Sequence, residues 1–225
     1  MFQIAFSLLF NSFLVACTSN KDADTSTTDD TSTTEDTSTT EDTSTTEDTS
    51  TTEDTATEEP LVPGADLDGT WVGPCYEKAQ VVIHYESLAL TGTYTEYLDD
   101  VCTEAYHVTE WKGNATVGDL LDNGARKLDI AFTAFNSTPL TAENAALNNS
   151  YAYCGFTDWE VNVTKDVLGA ECYGFSIPVG AVSLDIYVVR DNTLLFGTNA
   201  PIGTELTEAD RPTEIDEYRV FTFTE

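Results

Sequence analysis

The 225-residue chain is short of positive charge: nine lysines and arginines stand against 40 aspartates and glutamates, a formal net charge of −31. A chain so poor in bases repels phosphate. That excludes sequence-independent nucleic-acid binding and adhesion to an anionic bilayer through basic charge. Histidine is also scarce, with only His84 and His107, and there is no CxxC pair, which leaves few donors for a zinc site. No HExxH, P-loop or GxGxxG string occurs, and the nearest approach to a nucleophile elbow, GFSIP at 174–178, lacks its second glycine. These gaps predict a protein that is not an enzyme and carries no cofactor and no metal.

The charge is unevenly spread. The first 17 residues have no charged side chain, residues 18–60 hold 14 acids and one base, and residues 61–225 hold 26 acids and eight bases. In the middle part the hexapeptide TSTT[DE]D recurs from Thr25, Thr31, Thr37, Thr43 and Thr49, with a degenerate sixth copy ending at Pro60. The repeat has no aliphatic side chain to bury, so it cannot offset the entropy of ordering itself. It reads as a disordered, self-repelling tether, about 35 Å end to end by a flexible-chain estimate.

The apolar run over 1–15 is shorter than the roughly 20 residues of a spanning helix, and fits the core of a secretory signal. It ends in Leu14-Val15-Ala16-Cys17, which resembles the bacterial lipobox, although no Lys or Arg precedes it. The resemblance implies a signal peptide over 1–16, cleavage before Cys17 and lipidation of that cysteine. The membrane is then a partner through the N-terminal lipid, because several acyl chains at ~0.8 kcal/mol per buried CH₂ anchor stably. Thr18 follows where, in enterobacterial systems, an aspartate resembles an inner-membrane retention mark. The expected location is therefore the bacterial cell envelope, at the outer membrane or cell surface.

Residues 61–225 read as one all-β domain. Val81-Ile83-Tyr85, Leu128-Ile130-Phe132 and Leu184-Ile186-Val188 alternate with the residues between them, and Phe221 and Phe223 repeat the pattern. Asp122-Asn123-Gly124 and Asp191-Asn192 carry residues that tolerate positive φ in a hairpin. Only Thr141–Asn148 reads as a helix, with Thr141 as its cap. Eight or nine antiparallel strands with one short helix point to a barrel or a sandwich, and a closed or nearly closed barrel is preferred because it protects strand edges. Once Cys17 takes lipid, Cys75, Cys102, Cys154 and Cys172 remain for disulfides in an exported protein. Four cysteines allow three pairings; the local one, Cys75 with Cys102 and Cys154 with Cys172, is preferred because each loop joins neighbouring strand regions.

Several short motifs occur in order: Gly69-Thr70-Trp71 with Cys75, Tyr97-x-Asp99 with Cys102, Cys154 with Trp159, Cys172, Leu194–Gly197 (LLFG) and Arg211-Pro212-Thr213. Together they resemble the lipocalin-like β-barrel repeat of the adenomatosis-polyposis-coli-down-regulated family, over about residues 66–224 and in one copy rather than two. The resemblance implies a half-open barrel that holds an apolar ligand such as an acyl chain; a role in Wnt signalling is not carried over. Tyr85, Tyr94, Tyr97, Phe132, Ile186 and Phe196 are the candidates for the ligand-facing lining. Trp71 is expected to plug the core, and Arg211 to brace a turn through nearby carbonyls or Asp210. Four N-x-[ST] sequons, at Asn114, Asn136, Asn148 and Asn162, are incidental beside a bacterial export signal. The rival expectation is a structural or protein-interaction lipoprotein with a solid barrel core and no ligand. The anchor has a direct test: palmitate label is incorporated into the membrane fraction and lost in Cys17→Ser, whereas unchanged labelling contradicts lipidation.

Overall fold

The computed structural model describes residues 62–224. The signal, Cys17, the hexapeptide tether, Leu61 and Glu225 lie outside the described residues. Ten strands follow in chain order: β1 (Gly69–Val72), β2 (Ala79–Glu86), β3 (Ala89–Tyr97), β4 (Ala105–Leu120), β5 (Arg126–Pro139), β6 (Lys165–Asp166), β7 (Val182–Arg190), β8 (Thr193–Gly197), β9 (Ile202–Gly203) and β10 (Ile215–Thr224). The helix α1 (Ala142–Ser150) stands between β5 and β6. Thr141 caps it as expected, accepting from the Asn144 amide at 3.1 Å.

Eight of the strands close a ring. Each of β1 to β5 pairs antiparallel with the next; β5 then pairs with β7, β7 with β8, β8 with β10, and β10 with β1. The short β6 and β9 pair outside this ring, on β5 and β7 respectively. The barrel is thus closed, where the family resemblance implied a half-open one. Closure rests on six register pairs, Arg126 with Tyr187 through Ala131 with Val182, which join the lower half of β5 to β7.

The tight turns mark one end of the barrel, here the lower one. Asp191 and Asn192 are both left-handed, with φ of 51° and 58°, as a type I′ hairpin requires. Ser87 and Leu88 make the same kind of turn between β2 and β3 with φ of 50° and 69°, although neither residue favours it. Tertiary contacts supply what propensity does not. The Ser87 amide donates to Asp68 Oδ1 at 2.8 Å, and Leu88 packs so closely on Gly64 that a Cβ there would lie 2.5 Å from Leu88 Cδ2. Trp71 fills this end as expected: it is buried, donates from Nε1 to the Leu67 carbonyl at 2.7 Å, and meets Phe223 edge-on at 5.2 Å.

The upper end carries the longer connections. Disulfides join Cys75 to Cys102 and Cys154 to Cys172. The first ties the β1–β2 loop to the β3–β4 loop. The second lies within the long β5–β7 connection. There Asp99 organises the loop after β3, accepting from the amides of Val101, Thr103 and Glu104. Desolvation is the largest single influence on its carboxyl and raises it, but these bonds together outweigh it and hold the carboxyl below the usual range.

The connection over 198–214 lies on the outer face of β7 and β8. Its Arg211 donates to the Asp185 carbonyl at 2.6 Å and the Leu128 carbonyl at 3.4 Å, and pairs with Asp129 and Glu208. The carbonyl bonds match the sequence expectation. The carboxylate partners differ, because Asp210 is engaged in capping Thr207 at 2.8 Å. β7 is consequently buried on both faces, with Leu184 and Ile186 outside and Asp185 and Tyr187 inside.

Candidate functional site

Directly opposed residues in an antiparallel pair share a face, so the register identifies the barrel lining. Trp111 on β4 opposes Gly92 on β3 and Phe135 on β5. The tryptophan lies flat over the glycine: a Cβ at Gly92 would come within 2.0 Å of its ring. Phe132 opposes Gly113, and Phe196 on β8 opposes Tyr187 and meets Phe221 edge-on at 5.5 Å. The middle of the barrel is therefore walled by aromatic rings.

Of the lining candidates, Tyr85, Tyr94, Phe132 and Phe196 are buried and face inward. Two sit elsewhere. Ile186 is fully buried but opposes Lys127 on the outer face. The alternation of β7 could not reveal this, because apolar residues occupy both of its faces. Tyr97 follows a bulge that pairs Glu96 with His107 and Tyr97 with Ala105. It stands half-buried on the face opposite to Glu96.

Above the aromatic wall the lining turns polar. Two rungs cross strands β3, β4 and β5: Tyr94–Thr109–Ser137, and above it Glu96–His107–Pro139. Tyr106, the extra residue of the bulge, donates its hydroxyl to Glu96 Oε1 at 3.3 Å. From the β5–β7 connection, Tyr153 adds a ring edge-on to His107 at 5.9 Å and shares a hydrogen bond with Ser137. These residues form a belt at the upper end of the interior.

The proton positions in the belt follow from its partners. Asn144 Oδ1 only accepts, so His107 Nδ1, 2.9 Å away, carries a proton and donates. His107 Nε2 then accepts from the Ser137 hydroxyl, also at 2.9 Å. His107 is neutral in this chain, and burial lowers its pKa against the Asn144 bond. Glu96 is largely buried, and desolvation pushes its carboxyl up to about 7 against the bond from Tyr106. Among the described residues it forms no salt bridge. Burial first, and the Glu96 charge second, raise the hydroxyls of Tyr94, Tyr106 and Tyr153 above their ordinary range.

Two inward hydroxyls find no hydrogen-bond partner among the protein's own groups: Thr109 Oγ1 and Tyr85 Oη, on residues 1% exposed. Each such group costs about 1–3 kcal/mol when left unsatisfied. A second buried carboxyl, Asp185, opposes Leu128 and accepts from the Ile186 and Gly197 amides at 2.7 and 2.9 Å. Burial pushes it up to about 7, although those amides, Arg219 and Arg211 pull the other way.

Glu96 did not stand out in the sequence, yet a signal exists: in TYTEY (93–97) it falls in the inward phase set by Tyr94, where a charged residue is out of place. His84, the other histidine, bonds Thr70 at 3.0 Å on the exposed surface, far from any pairing with His107. Asp66 and Asp68 serve as acceptors for Tyr187 Oη at 3.0 Å and the Ser87 amide. Among the described residues no cluster of histidine, cysteine and carboxylate side chains suits a metal ion. No family model matches the chain, and no curated protein matches it.

The raised Glu96 pKa has a sign that can be tested. Between about 4.5 and about 7 the unfolded chain loses this proton while the folded chain keeps it. The native state therefore loses stability as pH rises through that window, by up to about 3 kcal/mol, and loses no more above it. Glu96→Gln lacks the effect. Its stability relative to the unmodified chain, measured by urea unfolding, should rise by up to about 3 kcal/mol from pH 4.5 to pH 8. Asp185 titrates in both proteins and cancels. A difference independent of pH contradicts the buried carboxyl.

Proposed function

We propose that this protein is a lipid-anchored lipoprotein of the bacterial envelope whose barrel binds a small apolar ligand, such as an acyl chain. It acts by binding rather than by catalysis. The observation that supports the reading best is the make-up of the closed interior. An aromatic wall formed by Trp111, Phe132, Phe135 and Phe196 leads into a belt that holds a poorly solvated carboxyl and a buried, unpartnered hydroxyl. A sequence selected for stability alone fills such positions with apolar groups, since an unpaired polar atom in a core costs more than it contributes. A ligand with a long apolar body and one polar end matches that division. The likeness of the GTW, LLFG and RPT motifs to a lipocalin-like family points the same way.

A second reading is a structural or interaction lipoprotein with a solid core. Ring-on-ring packing favours it, in Phe196 on Phe221, Phe135 on Phe175 and Trp111 on Gly92. So do the exposed Tyr76, Val101, Tyr151, Tyr173 and Val179 on the upper loops, since exposed apolar groups gathered at one end mark contact surfaces.

The two readings separate by mass spectrometry. The full chain carrying Cys17→Ser, purified from the export compartment and sprayed under native conditions, should carry a small apolar molecule at near-unit stoichiometry that organic solvent extracts. A chain that arrives with nothing bound, and takes up nothing from a total-lipid extract, overturns the binding reading and favours the solid core.

A further inference from the structure

The belt also specifies which polar end the ligand has. This step rests on the reading of an enclosed apolar ligand. We infer that the belt receives a cationic head group, an alkylamine or quaternary ammonium, and disfavours the carboxylate of a fatty acid.

Charge is the first argument. Among the described residues Glu96 forms no salt bridge, and the lysines of the upper end are committed elsewhere. Lys165 pairs with Asp158 at 3.0 Å and stacks over Phe156 and Trp159, and Lys78 donates to the Leu98 carbonyl at 3.0 Å. His107 does not supply the missing charge, because burial disfavours its protonated form. A carboxylate entering the belt would meet Glu96 with no cation between them. An ammonium would supply the counter-charge that a buried carboxylate needs.

The second argument is the ring content. Tyr94 and Tyr106 flank Glu96 on β3 and β4, and Tyr153 closes over the same region from the β5–β7 connection. The Tyr153 ring is itself fixed, tilted against Trp159 at 5.7 Å and Tyr173 at 5.4 Å, with the Cys154–Cys172 bridge beside it. Three tyrosine side chains thus lie in the neighbourhood of one carboxyl group. Aromatic rings attract alkylammonium groups, the more so where water is excluded.

The third argument is independent of charge. Thr109 Oγ1 lies between Tyr94 and Ser137 on the lower rung, 1% exposed and without a partner. Its hydroxyl lies on the inward face one rung below Glu96 and is free to accept from an N–H or a polarised N–CH₃ group. From that point the apolar body of the ligand would run down toward Trp111 and Phe132, which continue the inward faces of β4 and β5.

The test uses three probes that share one chain length: decyltrimethylammonium, decanoate and 1-decanol, each below its micelle concentration. Their affinity for the full chain carrying Cys17→Ser is read by titration calorimetry at pH 7.5. The ammonium should bind about tenfold or more tighter than decanol, and decanoate weaker than either. In Glu96→Gln, with its fold checked by circular dichroism, the preference for the ammonium over decanol should disappear. If decanoate binds as well as the ammonium, or if the preference survives Glu96→Gln, the cationic assignment falls while the apolar-ligand reading stands. If none of the three probes binds, both fall. The comparison on the unsubstituted belt decides even if the variant fails to fold.

Discussion

The hydrogen bonds between β5 and β7 turn a twisted meander into a closed ring, and the chemistry of the interior depends on that closure. They join the two strands across the 140–181 connection, at the largest sequence gap between neighbours of the ring other than the pairing of its first and last strands. Without them the lower half of β5 and the whole of β7 would each expose an unpaired edge, and water would reach the lining. With them, Leu128 and Tyr187 are sealed, and Glu96 and Asp185 are held where a carboxylate is poorly solvated. Backbone pairing thus sets the protonation of side chains one layer further in.

Two classes of information were legible in the sequence, and they have a common physical basis. The strands that face water on one side, β2 and β4, alternate clearly, because inward and outward positions are under opposite demands. The local cysteine spacing, the Thr141 cap and the Asp191-Asn192 turn are equally local. What was hidden depends on partners distant in sequence. The phase of β7 was ambiguous because the 198–214 connection buries its outer face, so Ile186 looked like lining when it is an outer-layer residue. The Ser87-Leu88 turn had no glycine or asparagine to announce it, since Asp68 and Gly64 supply its support. The belt was harder still: Glu96, Thr109, Ser137 and Tyr153 are unremarkable one by one, and only strand register and the long connection bring them together.

The acidity of the chain takes on a narrower meaning in this light. Most of the 40 acids lie in the repeat or are spread over the surface, where they extend the chain or keep a β-rich domain soluble. Among the described residues two are different in kind, because desolvation raises their carboxyls: Asp185 is buried and Glu96 is mostly so. Asp185 is used by the fold: its carboxylate takes the amides of Ile186 and Gly197 at the end of β8. Among the described residues Glu96 accepts from the Tyr106 hydroxyl alone, too little to explain its position by stability, and the proposed binding role turns on this residue.

The claim that the ring encloses a dry belt around Glu96 can be read from one group. With the glutamates labelled at the side-chain carbon, the Glu96 carboxyl resonance is assigned by its absence in Glu96→Gln and followed by NMR as pH is varied. The closed, water-excluding interior requires a midpoint near about 7. A midpoint near about 4.5, the ordinary glutamate value, would mean that water reaches the belt, and would contradict the account.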